Sequence, residues 1–312
     1  MQSFQTSPVT PSVAASGVDR SAPAVDSAAS DRELCEAMHR ADGIVWTCLP
    51  PAPPLLDRIP AEAWRDPAGQ PGWRCVKRNA ARQVWRIRTE AGVFYAKYFR
   101  EHDWRARAKA VLGRCPCRDE WTCLTYALRA GIRAPRPVAL THALGGGGPR
   151  RAVLITEAIE PSAPLDEYWL ELRETRGRRR REGVRELCET LAELIAHAHQ
   201  AGLEHVDMHA ANIVVCEQRG ASQAAFVDLQ SARLGAALPD EAVVRNLAQL
   251  NQWFRRHASL ADRLRFLRAY LRWRLEYEQL TPFARPLRMS FRELYAALND
   301  AADRHARQLW RR

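Results

Sequence analysis

The strongest constraint on how this chain can fold is a polar loop that runs directly into a hairpin. His205-Val206-Asp207-Met208-His209-Ala210-Ala211-Asn212 leads into the apolar Ile213-Val214-Val215, and a second apolar run, Ala225-Phe226-Val227, ends at Asp228. Between the two runs lies Arg219-Gly220-Ala221-Ser222, so the segment reads as two strands and a turn. Such a hairpin carries Asp228 back beside Asn212, and Asp207 stands at the other end of the same loop.

That grouping suits phosphoryl transfer from ATP. The reaction needs a carboxylate to orient the acceptor hydroxyl and take its proton, and oxygen ligands to hold Mg²⁺ against the phosphates. Asp207 fits the first role, and Asn212 with Asp228 fits the second. A turn aspartate or a helix cap would look the same in isolation, so the reading depends on the residues upstream.

Upstream, Val93-Phe94-Tyr95-Ala96-Lys97-Tyr98-Phe99 has the composition of a strand, with Lys97 placed to reach the phosphates. The chain has only three lysines, Lys77, Lys97 and Lys109, among its 47 basic residues. In so arginine-rich a sequence, a lysine inside a strand points to a need for a compact ammonium in place of a planar fork. Arg118-Asp119-Glu120-Trp121 then opens a helix with Trp121, Leu124 and Leu128 on one stripe, stopped at Gly131. Glu120 is the expected partner of Lys97, with Asp119 as the alternative.

From about residue 73 to 275 the chain resembles the lipopolysaccharide kinase family, protein-kinase-like enzymes that phosphorylate heptose or Kdo sugars of the inner core. The resemblance rests on the strand ending at Lys97, Glu120-Trp121 through Ala130-Gly131-Ile132-Arg133-Ala134-Pro135-Arg136-Pro137, the loop 205–212 and Val227-Asp228-Leu229-Gln230. It extends through Arg245-Asn246-Leu247-Ala248-Gln249-Leu250-Asn251 and 262–270, segments that generic kinases lack. It implies an α+β, bilobal protein-kinase-like fold with a small antiparallel-sheet N-lobe and a mostly helical C-lobe. It makes Asp207 the catalytic base and Lys97 the phosphate contact, with Glu120 orienting Lys97. Asn212 and Asp228 become the Mg²⁺ ligands, and backbone groups near Glu157 and Ile159 meet the adenine.

Four departures matter. No glycine-rich loop precedes Lys97; the hairpin from Cys75 to Ile87 carries Arg78-Asn79-Ala80-Ala81-Arg82 at its tip, so phosphates there would meet arginine side chains or fewer backbone amides. Leu229-Gln230 stands where Phe-Gly is usual, and little chain remains before Arg245 for a phosphorylated activation loop. Asn246 replaces an expected aspartate and is read as a neutral donor and acceptor bracing the loop.

A chain of 312 residues is long enough for two lobes. The expected division is a disordered tail over 1–30, rich in Ser, Ala and Pro, an extension over 31–72, the N-lobe and hinge over 73–160, and the C-lobe over 161–312. Gly145 to Gly148 reads as a turn between two N-lobe strands, Gly183 to Gln200 as a core helix, and Ser290-Phe291-Arg292-Glu293 as a capping box. Scattered cysteines and the lack of a signal peptide or long apolar run point to the cytoplasm.

The formal charge of +11 implies an anionic partner. Arg176 and Arg178 to Arg181 form the densest cluster, and Arg255, Arg256, Arg263, Arg265, Arg268, Arg272 and Arg274 follow on later helices. Trp104, Trp169, Trp253, Trp273 and Trp310 are candidate interface anchors. These features fit a lipid A-core glycolipid acceptor and peripheral contact with the cytoplasmic face of the inner membrane, and there is no nucleic-acid-binding motif. The alternatives are a catalytically weak kinase-like binding protein of envelope biosynthesis, or a small-molecule kinase of the aminoglycoside or choline type.

Overall fold

The computed structural model describes residues 36–50, 54–80, 82–100, 115–141, 144, 151–218, 221–280 and 284–309. The tail over 1–30, Gly145 to Gly148, Arg219-Gly220, Trp104 and Trp310 lie outside the described residues. The fold is bilobal and α+β, with an antiparallel sheet above a helical lobe.

The upper lobe contains β1 (Ala37–Ala41), β2 (Ile44–Cys48), short helices α1 (Leu55–Arg58) and α2 (Ala61–Arg65), β3 (Trp73–Arg78), β4 (Arg82–Thr89) and β5 (Gly92–Arg100). Helix α3 (Pro116–Arg129), β6 (Pro137–Thr141) and β7 (Arg151–Glu157) complete it. The sheet order is β1-β2-β6-β7-β5-β4-β3. Residues 37–48, read from sequence as part of an extension, therefore form the edge of this sheet, β1 pairing with β2 and β2 with β6 through Thr47 and Cys48.

Strand alternation separates the two faces of this sheet. Trp85, Ile87, Phe94, Ala96, Tyr98, Val153 and Ile155 enter an upper core with Trp46 and Trp64. The register pairs Val84 with Lys97 and Trp85 with Ala96, so Arg82, Val84 and Lys97 share the opposite face. On that face Phe99 and Leu154 join the lower core together with Trp121 and Leu124 of α3.

Helix α3 has Pro116 at its first position, where a missing N–H costs nothing, and buries Trp121, Leu124 and Ala127. It ends as expected: Gly131 adopts φ 68°, which lets the Ile132 N–H return to the Ala127 carbonyl at 2.8 Å.

The lower lobe follows with β8 (Ser162–Pro164), α4 (Leu165–Glu174), α5 (Gly177–Gln200), β9 (Leu203–Glu204), β10 (Ile213–Gln218), β11 (Ala221–Phe226) and β12 (Arg233–Leu234). It closes with α6 (Asp240–His257), α7 (Leu260–Leu280) and α8 (Phe291–Leu309). Helix α5 begins six residues before the expected start at Gly183. Arginines are good helix formers even without an apolar stripe, and Gly183 is a packing residue, not a boundary. A Cβ there would come within 2.7 Å of Leu172 Cδ1 of α4. The capping box at α8 is present, with the Ser290 N–H donating to Glu293 Oε2 at 2.7 Å and the Glu293 N–H to Ser290 Oγ at 3.3 Å.

Ile195 of α5 has no exposed surface and lies in the lower core. Ile195→Ala should cost about 2–5 kcal/mol, seen in urea titration as a lower midpoint at unchanged slope.

Candidate active site

Lys97 of β5 and Glu120 of α3 form an ion pair within the upper lobe. Glu120 is fully buried, whereas the Lys97 side chain keeps 14% of its surface exposed. Asp119, the alternative partner, is exposed. The second carboxylate oxygen of Glu120 has no hydrogen-bond partner among the described residues.

The loop after β9 is held at both ends. Its start is fastened by the β9–β12 pairing and its end by the Val227 N–H, which donates to the Asn212 carbonyl at 2.9 Å. Asn212 Nδ2 donates to the Asp207 carbonyl at 2.9 Å and to Asp207 Oδ2 at 3.3 Å. Its amide nitrogen is thus spent on Asp207, which leaves the carbonyl Oδ1 as a free ligand atom. Asp207 itself is 67% exposed, with His209 Nε2 3.5 Å from its Oδ2.

Register across the β10–β11 hairpin pairs Ile213 with Phe226, which brings Asp228 beside Asn212. Asp228 sits in the left-handed region at φ 60° and ψ 55°, a strained conformation that aspartate tolerates better than most residues. Both its oxygens accept from Arg82, Nη1 to Oδ1 and Nη2 to Oδ2, each at 2.8 Å. Burial alone would raise its pKa. The Arg82 hydrogen bonds, with the charges of Lys97, Arg82 and Lys77, outweigh burial and hold it at about 2.

An amide oxygen and a carboxylate are hard donors, and Mg²⁺ is usually held by one or two such groups together with substrate phosphates. Asn212 and Asp228 fit that pattern. Among the described residues no three His, Cys, Asp or Glu side chains gather into a protein-only cage.

A family model described as the lipopolysaccharide kinase (Kdo/WaaP) family matches residues 74–270. The chain belongs to this family. It is 26% identical over 242 residues, 74% of this chain and 84% of the relative, to the lipopolysaccharide core heptose(I) kinase WaaP of Pseudomonas aeruginosa strain PAO1. The fold matches a solved structure of WaaP in complex with acyl carrier protein, at a TM-score of 0.58 and 22% identity, over 85% of this chain and 99% of that one. The protein is therefore a kinase of lipopolysaccharide core biosynthesis, and the seven-stranded sheet above a helical lobe is the protein-kinase-like fold expected from sequence.

In this lipopolysaccharide kinase the loop is braced from the C-lobe by a neutral chain of hydrogen bonds. Asn246 Nδ2 donates to the His205 carbonyl at 2.7 Å, and its Oδ1 lies 2.9 Å from His199 Nε2. An oxygen there must accept, so His199 carries its proton on Nε2 and takes the Tyr270 hydroxyl on Nδ1, at 2.8 Å. Burial pushes the His199 pKa down to about 3. His205 donates Nε2–H to the Val227 carbonyl at 3.1 Å and links the loop to the hairpin. Asn246 thus acts as the neutral brace read from sequence.

At the hinge, Glu157 ends β7 with its N–H on the Arg136 carbonyl at 2.9 Å and its side chain 3.1 Å from Arg136 Nη1. The Ile159 carbonyl already accepts from Ser162 Oγ at 2.5 Å. Glu160 is gripped by Arg86, Nε at 2.6 Å and Nη2 at 2.5 Å, and by Tyr95 Oη at 3.2 Å. Sequence reading missed this clamp and the Arg82–Asp228 pair, because nothing in a linear sequence links residues so far apart.

Two surface expectations are corrected. Arg274 is buried and donates to the Arg285 carbonyl, whereas Arg255, Arg265 and Arg272 stay at the surface, paired with Asp303, Asp262 and Glu189. Trp169 is a core residue, its indole N–H on the His257 carbonyl at 3.0 Å, so it is no interface anchor.

The depressed His199 pKa gives a signed stability prediction. The unfolded chain binds a proton near pH 6.5 and the folded chain only near pH 3, so stability should fall as pH drops from about 6.5 toward 4. His197 and His205, also depressed by burial, act in the same direction. Urea unfolding at pH 7 and pH 5 should show the loss, and His199→Gln should flatten it.

Proposed function

We propose that this kinase transfers the γ-phosphoryl group of ATP, with Mg²⁺, to a hydroxyl of heptose or Kdo in the lipopolysaccharide inner core. The observation that carries the reading is the Lys97–Glu120 ion pair facing the Asp207, Asn212 and Asp228 cluster across the cleft between the lobes. Family membership and the heptose kinase relative support the acceptor class.

In this reading, Asp207 orients the acceptor hydroxyl and takes its proton, its exposure leaving room for a bulky sugar. Lys97, oriented by Glu120, contacts the nucleotide phosphates. Asn212 and Asp228 would hold Mg²⁺, which offsets phosphate charge when bound. The backbone near Glu157 and Ile159 meets the adenine, with the Arg86–Glu160 clamp fixing the segment just beyond.

The acceptor is anionic and membrane-borne, and the start of α5 suits it. Arg178 to Arg181 occupy the helix end at which the dipole disfavours cations, and Arg179 and Arg181 are exposed. Such a placement costs stability unless an anion meets it, so this patch is the proposed contact with phosphorylated lipid headgroups at the cytoplasmic face of the inner membrane. Among the described residues no helix is long and apolar enough to cross a membrane. The solved complex of WaaP with acyl carrier protein supports a carrier protein as a further partner.

A second reading, a nucleotide-binding protein without turnover, draws on the occupation of Asp228 by Arg82. Transfer from labelled ATP to Kdo-lipid A or heptose-containing truncated lipopolysaccharide separates the two. The wild type should incorporate phosphate, and Asp207→Ala and Lys97→Ala should each lose on the order of 10²–10⁴ in rate. ATP binding without incorporation into any core acceptor would support the second reading.

A further inference from the structure

The β3–β4 hairpin precedes Lys97, where a kinase needs groups to hold nucleotide phosphates, and two of its backbone amides are already engaged. The Asn79 N–H donates to the Arg82 carbonyl at 2.9 Å and the Arg82 N–H to Asn79 Oδ1 at 2.7 Å, so both amides are spent closing the turn. There is no glycine at the tip to let the chain approach an anion closely.

Arg82 supplies what the backbone does not. It is the first residue of β4, on the face that carries Lys97, and is only 8% exposed. Its guanidinium makes a two-pronged contact with Asp228 at 2.8 Å, and Nη1 also donates to Gln230 Oε1 at 3.2 Å. The fork therefore occupies both oxygens of the side chain assigned to Mg²⁺. A guanidinium fork matches phosphate as well as it matches carboxylate.

We propose that Arg82 is a nucleotide-phosphate-binding residue that is parked on Asp228 in the nucleotide-free protein. This rests on the kinase reading of the cleft. When nucleotide binds, Arg82 would release Asp228 and turn to the phosphate oxygens, with Gln230 Oε1 still within reach of its Nη1, and Asp228 with Asn212 would then be free to hold a Mg²⁺ that offsets phosphate charge. Glu120, whose charge also acts on Arg82, and Lys97 hold the rest of the cluster in balance during the exchange. The arginine thus serves in place of a glycine-rich cradle.

The test is equilibrium binding of adenosine, AMP and ATP, with and without Mg²⁺, to the full chain as wild type, Arg82→Ala and Arg82→Lys, read by titration calorimetry. ATP affinity should fall about tenfold or more in Arg82→Ala and by less in Arg82→Lys, with adenosine affinity unchanged. Unchanged adenosine binding also shows that the cleft is intact. If Arg82→Ala does not fold, the same comparison is made with Arg82→Lys alone. Wild-type ATP binding that is matched or exceeded by the folded variants would overturn the proposal and leave Arg82 a plug on Asp228. A wild type that binds ATP no better than adenosine would overturn the kinase reading along with it.

Discussion

The site depends on one buried ion pair. Lys97 belongs to the sheet and Glu120 to α3, and a carboxylate with no exposed surface is tolerable only if a cation reaches it. The pair therefore sets the distance between strand and helix, and with it the depth of the cleft. Around it the charges alternate: Lys97 on Glu120 and Arg82 on Asp228, two ion pairs in a partly dry space. Breaking one of these pairs leaves a buried charge, so the geometry is held by the cost of every alternative.

Below the cleft the chemistry changes from charged to neutral. The loop bearing Asp207 and Asn212 is fixed by Tyr270, His199 and Asn246, none of which is charged near neutral pH. An aspartate at position 246 would present only acceptors to the His205 carbonyl, which itself accepts. The asparagine is the complement of that carbonyl, and it draws a neutral histidine and a tyrosine into the core with it. Firm bracing beneath and exchangeable charge pairs above suit a site that must hold its base still while admitting a metal and a nucleotide.

Most of the architecture was legible in the sequence. The β10–β11 hairpin, α3 and its glycine stop, the capping box at Ser290 and the strand at Lys97 all follow local patterns of period and punctuation. The Lys97–Glu120 pair was reachable too, because protein kinases pair a strand lysine with a helix glutamate and the helical stripe sets Glu120 nearer the core than Asp119. Contacts across the fold were not legible. Nothing at Arg82 or Arg86 marks Asp228 or Glu160 as its partner, and nothing at Trp169 or Arg274 distinguishes core from surface in a chain so rich in arginine. Gly183 misled for a physical reason, because a glycine at the start of a helix and one that lets two helices touch look alike in sequence.

The most direct test of the account is a crystal structure of the protein with a non-hydrolysable ATP analogue and Mg²⁺. The account predicts a cation between Asn212 Oδ1 and Asp228, Lys97 still paired with Glu120 and reaching the phosphates, and Asp207 facing the γ-phosphate across an open acceptor space. A nucleotide bound with Arg82 still closed on Asp228, or phosphates lying away from Lys97 and Asp207, would contradict it.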